Sequence, residues 1–172
     1  SQAVEMSRSV YDYRLESDGP SALSTIKSGC NFATHLARTG SKKTVLAELQ
    51  TLLQNARESL GDDHYQTLII MSELGDCLID ENDTQSGFAL IEESLRRSQE
   101  IYGENHPRTM VSANGLARAY LTNGDYLKSI EKFRDLYDSQ LVVHGPAHPE
   151  TLTVANNLAS AEVGIVTSDV EG

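Results

Sequence analysis

The chain has few cysteines and no long apolar run, and each absence excludes a class of protein. Its 172 residues include only Cys30 and Cys77, which is typical of a cytosolic protein with reduced thiols and not of a disulfide scaffold. No apolar stretch approaches the roughly 20 residues of a membrane span, and no charged-then-apolar signal segment is present. These features predict a cytoplasmic protein without a membrane partner.

Basic residues are also scarce. Lys and Arg number 14 against 25 Asp and Glu, which gives a formal net charge of −11. A negative field repels phosphate backbones, so nucleic acid and anionic membranes are not expected as partners. The same charge permits a basic or neutral protein partner, and it is equally consistent with a role in solubility alone.

Motifs of catalysis are missing as well. The chain has no Gly-rich phosphate loop with a lysine and no Gly-x-Ser-x-Gly nucleophile turn. The paired carboxylates Glu92-Glu93 and Asp62-Asp63 fit a solvated helix face and a helix N-terminus, where negative charge is favourable. We therefore predict a protein that is not an enzyme and that needs no cofactor.

What the chain does contain is a repeat of 42 residues. Gly61, Gly103 and Gly145 are equally spaced, and each begins a seven-residue phrase with His at its fourth position and Thr at its seventh. A fainter copy begins at Gly19 and reaches Thr25. Self-similarity at a fixed period of this size predicts a solenoid and favours an extended binding surface over an enclosed active site.

Each unit predicts two helices. The first, helix A, has a large apolar residue, a small residue directly after it and a second large residue four positions after the first, as on one face of a helix. A break then precedes a second apolar-periodic run, helix B. In successive units the first large residue is Phe32, Leu74, Leu116 and Leu158, and the small residue is Ala33, Gly75, Ala117 and Ala159. The second large residue is Leu36, Leu78 and Tyr120, and the break is Gly40, Asn82 and Gly124.

This register sets the predicted boundaries. A repeat array spans residues 1–163 and comprises a lone B helix at 3–17, repeat 1 at 21–60, repeat 2 at 64–102, repeat 3 at 107–144 and a lone A helix at 149–163. Residues 164–172 are predicted to form a flexible tail. Because the chain starts and stops within a repeat, we expect it to be part of a longer array.

The pattern resembles the tetratricopeptide repeat, most clearly in the segment from Asn114 to Tyr126. The common unit of that family has about 34 residues. The longer helix B and the Gly-x-x-His-Pro-x-Thr loop are similar to the kinesin light chain type, which also serves as the sensor array of bacterial and fungal signalling proteins. Gly87 and Val45 depart from this family, which usually has Ala at their positions. The resemblance implies an all-α, right-handed superhelical solenoid of antiparallel helix pairs, about eight helices in all.

The resemblance also implies a binding groove, because the A helices of this family line the concave face and hold a partner's peptide segment there. Amides offer a donor and an acceptor to a peptide backbone, and charged side chains offer ion pairs. The alternative is that the groove asparagines bond to each other and to neighbouring backbone. The predicted partner-binding residues are Lys27, Thr34, Arg38, Asp76, Asp80, Asn114, Arg118 and Asn156; less central groove positions include Cys30.

The histidines raise the question of a metal site. His64, His106 and His148 are equivalent residues of successive repeats, so they lie about a helix diameter, roughly 10 Å, apart. Zinc binds nitrogen at about 2 Å, so one ion does not collect them. We predict no metal site and a structural role for these histidines in capping the loops.

Together these observations predict a non-catalytic scaffold that binds a protein or peptide partner in the concave groove. Two alternatives remain open at this point. In the first alternative, the array is the sensor or regulatory arm of a larger signalling ATPase. In the second, it is a module that self-associates through its open repeat ends.

Overall fold

The computed structural model describes residues 2–38 and 42–170, with side chains up to residue 167. All secondary structure in these ranges is helical. The eight helices are α1 (Gln2–Asp18), α2 (Leu23–Ala37), α3 (Lys42–Leu60), α4 (Tyr65–Asp80), α5 (Thr84–Tyr102), α6 (Pro107–Thr122), α7 (Tyr126–His144) and α8 (Pro149–Val170). None of the described helices combines the length and the apolar character that crossing a membrane requires.

Each helix packs against the next one along the chain, which produces stacked helix pairs. The even-numbered helices α2, α4, α6 and α8, which are the A helices, also contact one another in sequence. The odd-numbered B helices make no such mutual contacts within the described ranges. The A helices therefore form the inner layer of the solenoid, here called the A-helix face.

Repeated loop chemistry fixes where the A helices begin. The Nδ1 atoms of His64, His106 and His148 accept hydrogen bonds from the backbone N–H two residues later, at 3.1, 3.1 and 3.3 Å. Each satisfies one of the free N–H groups at a helix start. The glycine three residues earlier has a positive φ, as at Gly61 with +88°, which favours a residue without Cβ. The predicted capping role of the histidines is confirmed.

The breaks between helix A and helix B are also where the sequence predicts them. Asn82 and Gly124 adopt φ of 68° and 82° just after α4 and α6, the left-handed conformation that ends a helix. The equivalent Gly40 lies outside the described residues.

Helices α4 and α5 approach each other closely at two glycines. A Cβ on Gly75 would come within 2.7 Å of the Gly87 carbonyl oxygen, and a Cβ on Gly87 within 2.6 Å of the Gly75 carbonyl oxygen. Only glycine at both positions allows this approach. The departure of Gly87 from the family pattern therefore has a local cause, which is its fit to Gly75.

The predicted flexible tail is wrong for residues 164–170, which continue helix α8. Gly164 does not end the helix. A Cβ there would lie 2.3 Å from the Tyr126 ring, so the glycine instead lets α8 lie directly against α7. Ile165 is partly buried beside it against the cluster of Met110, Phe133 and Val154. Residues 171 and 172 lie outside the described part.

Candidate functional site on the A-helix face

A first cavity of about 340 Å³ opens between α2, α4 and α6, with α3 behind it. Five of the eight predicted partner-binding residues line it, together with two side chains that the sequence reasoning did not select, Glu73 and Cys77. We call it the acidic cavity. The five predicted residues are Thr34, Arg38, Asp76, Asp80 and Arg118.

The carboxylates of the acidic cavity are only loosely paired. Arg118 Nη2 lies 3.9 Å from Asp76 Oδ2, and Lys42 Nζ lies 3.5 Å from Asp80 Oδ2. Burial, with the neighbouring Asp76 charge, raises the pKa of Glu73 to about 7. Burial also raises the pKa of Asp76 to about 6, against the opposing effect of Arg118. The cavity thus brings together the carboxyl groups of Glu73, Asp76 and Asp80 and the guanidinium groups of Arg38 and Arg118.

A second cavity of about 150 Å³ lies farther along the A-helix face, between α6, α7 and α8. Asn114 and Gln140 bring amides to it, Glu150 and Thr153 bring oxygens, and the walls are apolar. We call it the amide cavity. Its apolar walls are Met110, Val111 and Val154.

Gln140 is the unusual residue of the amide cavity. Its side chain is only 3% exposed, and its buried Oε1 has no hydrogen-bond partner among the described residues. A buried amide without partners is costly, since it has lost its bonds to water without replacement. The neighbouring Asn114 Oδ1 accepts a 3.3 Å hydrogen bond from Asn157 Nδ2. The cavity therefore has a buried polar group that a ligand would satisfy.

The remaining predicted residues lie outside both cavities. Lys27 and Asn156 are exposed on α2 and α8. Asn114 pairs with Asn157 and not with its repeat equivalent Asn156. Cys30, expected on the groove, is buried at 6% exposure. It lies within 3.3 Å of Gln66 Nε2, which donates to its Sγ, and burial raises the pKa of its thiol to about 12.

Sequence reasoning missed Gln140 because it considered only the A helices for the groove. A signal was nevertheless present. The equivalent residues one and two repeats earlier are Ser98 and Ala56, which are small and fully buried. A long polar side chain at a position that otherwise holds small residues indicates a local change in packing.

One end of the solenoid has an apolar surface of a different kind. Helix α1 exposes Met6, Val10 and Tyr13 by 64%, 53% and 65%. Met6 and Val10 also line a cavity of about 320 Å³ between α1 and α2. This surface offers area for burial and few hydrogen-bonding groups.

Comparison with known proteins agrees with the repeat structure. The family model of the tetratricopeptide repeat matches residues 80–141, which span α5, α6 and most of α7. Residues 80–141 of the chain are therefore similar to the tetratricopeptide repeat. No curated protein matches its sequence.

Solved structures extend the likeness in fold to nearly the whole chain. The TPR-like repeats of a candidate kinesin light chain from Podosopora anserina, carrying a single substitution, are 21% identical with a TM-score of 0.71, covering 96% of this chain and 78% of that one. The same repeats without the substitution are 21% identical with a TM-score of 0.69, covering 96% of this chain and 79% of that one. BtubC (BKLC) from P. vanneervenii is 15% identical with a TM-score of 0.68, covering 98% and 65%. The fold is thus the right-handed repeat superhelix of the kinesin light chain type.

Proposed function

We propose that this protein binds a peptide segment of a protein partner along the A-helix face, without catalysis. The tetratricopeptide fold is typical of protein-interaction scaffolds. The observation that carries the proposal is Gln140, which lines a cavity on the inner layer and whose buried Oε1 has no hydrogen-bond partner among the described residues. A peptide group or a primary amide has the matching donor and acceptor.

The charges along the face suggest how the partner is oriented. The amide cavity holds a peptide group between Gln140 and Asn114, and the acidic cavity holds a basic side chain against Glu73 and Asp76. A basic group there would pair with Glu73, which has no ion-pair partner within 4 Å among the described residues, and with Asp76, whose cation Arg118 is 3.9 Å away. Two anchors on a preformed surface suffice for specific recognition, since a few residues dominate most interfaces.

Replacing Gln140 by Met tests the proposal because it removes the amide and keeps the volume. We expect Gln140→Met to raise the melting temperature of the free protein, since it removes an unpaired buried polar group. We expect the same change to reduce capture of partners from a lysate of source cells, measured by quantitative mass spectrometry. Asp138→Asn is the matched control, on an exposed position of the same helix.

A second variant combines Asn114→Ala, Arg118→Ala and Asn156→Ala. Partners that the Asp138→Asn control retains should be lost from both the Gln140→Met and the triple variant. If the same partners bind all forms equally, the A-helix face is not the binding surface and the proposal is wrong.

Self-association is a second candidate function, favoured by the exposed apolar stripe of α1. Met6→Glu and Val10→Glu together would place charges on that stripe and leave the A-helix face intact. Light scattering of the wild-type chain at high concentration should then show a species larger than the monomer that the double variant lacks. A monomer at every concentration would rule this candidate out.

A further inference from the structure

A third cavity, about 400 Å³ in volume, lies between α5, α6 and α7, away from the predicted groove residues. We call it the α5–α7 cavity. Its floor is apolar, and two of the acidic side chains that line it, Glu104 and Asp135, have no ion-pair partner within 4 Å among the described residues. The floor consists of Leu95, Met110, Ala113, Leu116 and Leu136.

The 42-residue register shows what occupies the equivalent space one repeat earlier. Ala113 and Ser139 of the cavity correspond to Met71 and Arg97 in repeat 2. Met71 is buried at 1% exposure, so its thioether side chain fills the interior at this level. Both residues of repeat 3 are much smaller, and the space that a long apolar chain and a guanidinium occupy in repeat 2 is lined by short side chains in repeat 3.

Arg97 also shows what the acids at this level bind. Its Nη1 lies 2.7 Å from Asp63 Oδ1, and its Nε lies 2.6 Å from Glu93 Oε1. Hydrogen bonds from Arg96 and Arg97 hold the pKa of Glu93 near 2. Asp135 of the α5–α7 cavity is the repeat equivalent of Glu93. Repeat 3 therefore keeps one of the two acidic partners, Asp135, whereas Asn105 replaces Asp63 and Ser139 replaces Arg97.

The second cation of that region is missing too. One repeat earlier, Arg57 at the end of α3 has its Nε 3.0 Å from Oδ1 of Asp62 in the loop before α4. The equivalent residues one repeat later are Gln99 and Glu104. The acidic side chain is therefore kept, and a neutral amide replaces the arginine. Lys132 is the one cation among the residues that line the cavity, and its Nζ pairs with Glu131 at 2.9 Å.

We propose that the α5–α7 cavity accepts an arginine side chain of a protein partner, which takes the place that Arg97 has in repeat 2. The aliphatic stem of the arginine lies on the apolar floor, and its guanidinium bonds to Asp135 and Glu104. The net charge of −11 favours approach of such a cationic group. The cavity shares Met110 with the amide cavity, but none of the eight predicted groove residues lines it, so this proposal does not depend on the proposed peptide groove.

The test uses N-acetyl-arginine amide as probe and two-dimensional NMR of the full chain as readout. We expect saturable shifts of the amide signals of Ala113, Leu116 and Ser139. The citrulline analogue has the same shape without charge and should bind about tenfold more weakly, as expected on losing a charge-assisted hydrogen bond. Glu104→Gln with Asp135→Asn should weaken the arginine probe to a similar degree.

Two filling variants complete the test. Ser139→Arg restores the side chain of repeat 2, and we expect it to abolish the shifts and to raise the melting temperature. Ala113→Met fills the floor without adding charge and should also abolish binding, which keeps the test valid if Ser139→Arg folds poorly. Equal binding of the citrulline probe, unchanged binding to either filling variant, or no saturable shift in the wild-type chain would overturn the proposal.

Discussion

Repeat 2 and repeat 3 share the same loops and differ in their interiors. Both begin with a histidine whose Nδ1 caps helix A, and both are followed by a glycine with positive φ. Inside, repeat 2 packs Gly75 on Gly87, whereas the equivalent residues of repeat 3 are Ala117 and Ser129. There Ser129 Oγ donates a 2.9 Å hydrogen bond to the Ala117 carbonyl oxygen. The loops set the period, and the interior residues set how closely the helices approach.

The difference matters because the cavities are not evenly distributed. Both the amide cavity and the α5–α7 cavity are lined by α7, the B helix of repeat 3. Repeat 2 contributes instead the acids of the acidic cavity, since Glu73 and Asp76 have Gly115 and Arg118 as their equivalents. Substitutions at interior positions thus give successive repeats cavities with different lining residues on the same helical fold.

The largest expected effect compares Leu74→Ala with Leu116→Ala, equivalent core residues at 5% and 6% exposure. Each should lower the free energy of unfolding by about 2–5 kcal/mol, as for other buried leucines. Leu116 already borders the α5–α7 cavity, so we expect the larger loss for Leu74. Urea unfolding measures both. A loss below about 0.5 kcal/mol for either residue would contradict its core position, since surface changes have effects of that size.

Gly87→Ala tests the close contact of repeat 2. Its Cβ would meet the Gly75 carbonyl oxygen and Ile79, and relief requires movement of the helix backbone, so we expect a loss of about 1–3 kcal/mol. The matched change in repeat 3, Ser129→Ala, removes one buried hydrogen bond and should cost about 1 kcal/mol. The same urea titration compares them. A neutral Gly87→Ala would show that α4 and α5 have room to separate.

The histidine caps should behave alike in the two repeats. His64→Ala and His106→Ala each remove one acceptor for a backbone N–H at a helix start, which we expect to cost about 1 kcal/mol. Thermal unfolding of both variants checks this. A large difference between them would mean that the stacking of His106 on Tyr102, at 5.0 Å between ring centroids, contributes more than the cap does.

A further expected effect is a pH dependence that belongs to repeat 2. Burial raises the pKa of Glu73 from 4.5 to about 7, so the folded protein binds a proton that the unfolded chain has released between these values. Stability should therefore fall as pH rises through this window and then level off. Glu73→Gln should flatten this part of the profile and raise the melting temperature above pH 7. Melting temperatures from pH 4 to 8 test this, with Glu92→Gln on exposed α5 as control.

Several parts of the fold followed from the chain alone. The equal spacing of Gly61, Gly103 and Gly145 predicted the helix pairs and their loops, because a positive φ and a capping side chain act on neighbouring residues. Five of the eight predicted groove residues line the acidic cavity and a sixth, Asn114, lines the amide cavity, while their role in binding a partner stays a prediction. Gln140 and Glu73 were missed because their importance arises from burial and from lost hydrogen-bond partners, which depend on other helices.

Gly164 is another residue whose role depends on a different helix and was therefore not predicted from the sequence. A glycine after an apolar-periodic segment predicts the end of a helix. Here Gly164 instead lies under the Tyr126 ring of another helix, and α8 continues to Val170. Local chemistry, repeated every 42 residues, determined the helices and their order, whereas the inward-facing layer was implied by the family resemblance. Packing between helices decided which positions became cavities, which polar groups lost their partners and where the last helix ends. Those outcomes depend on distances between residues far apart in the chain, and periodicity does not encode such distances.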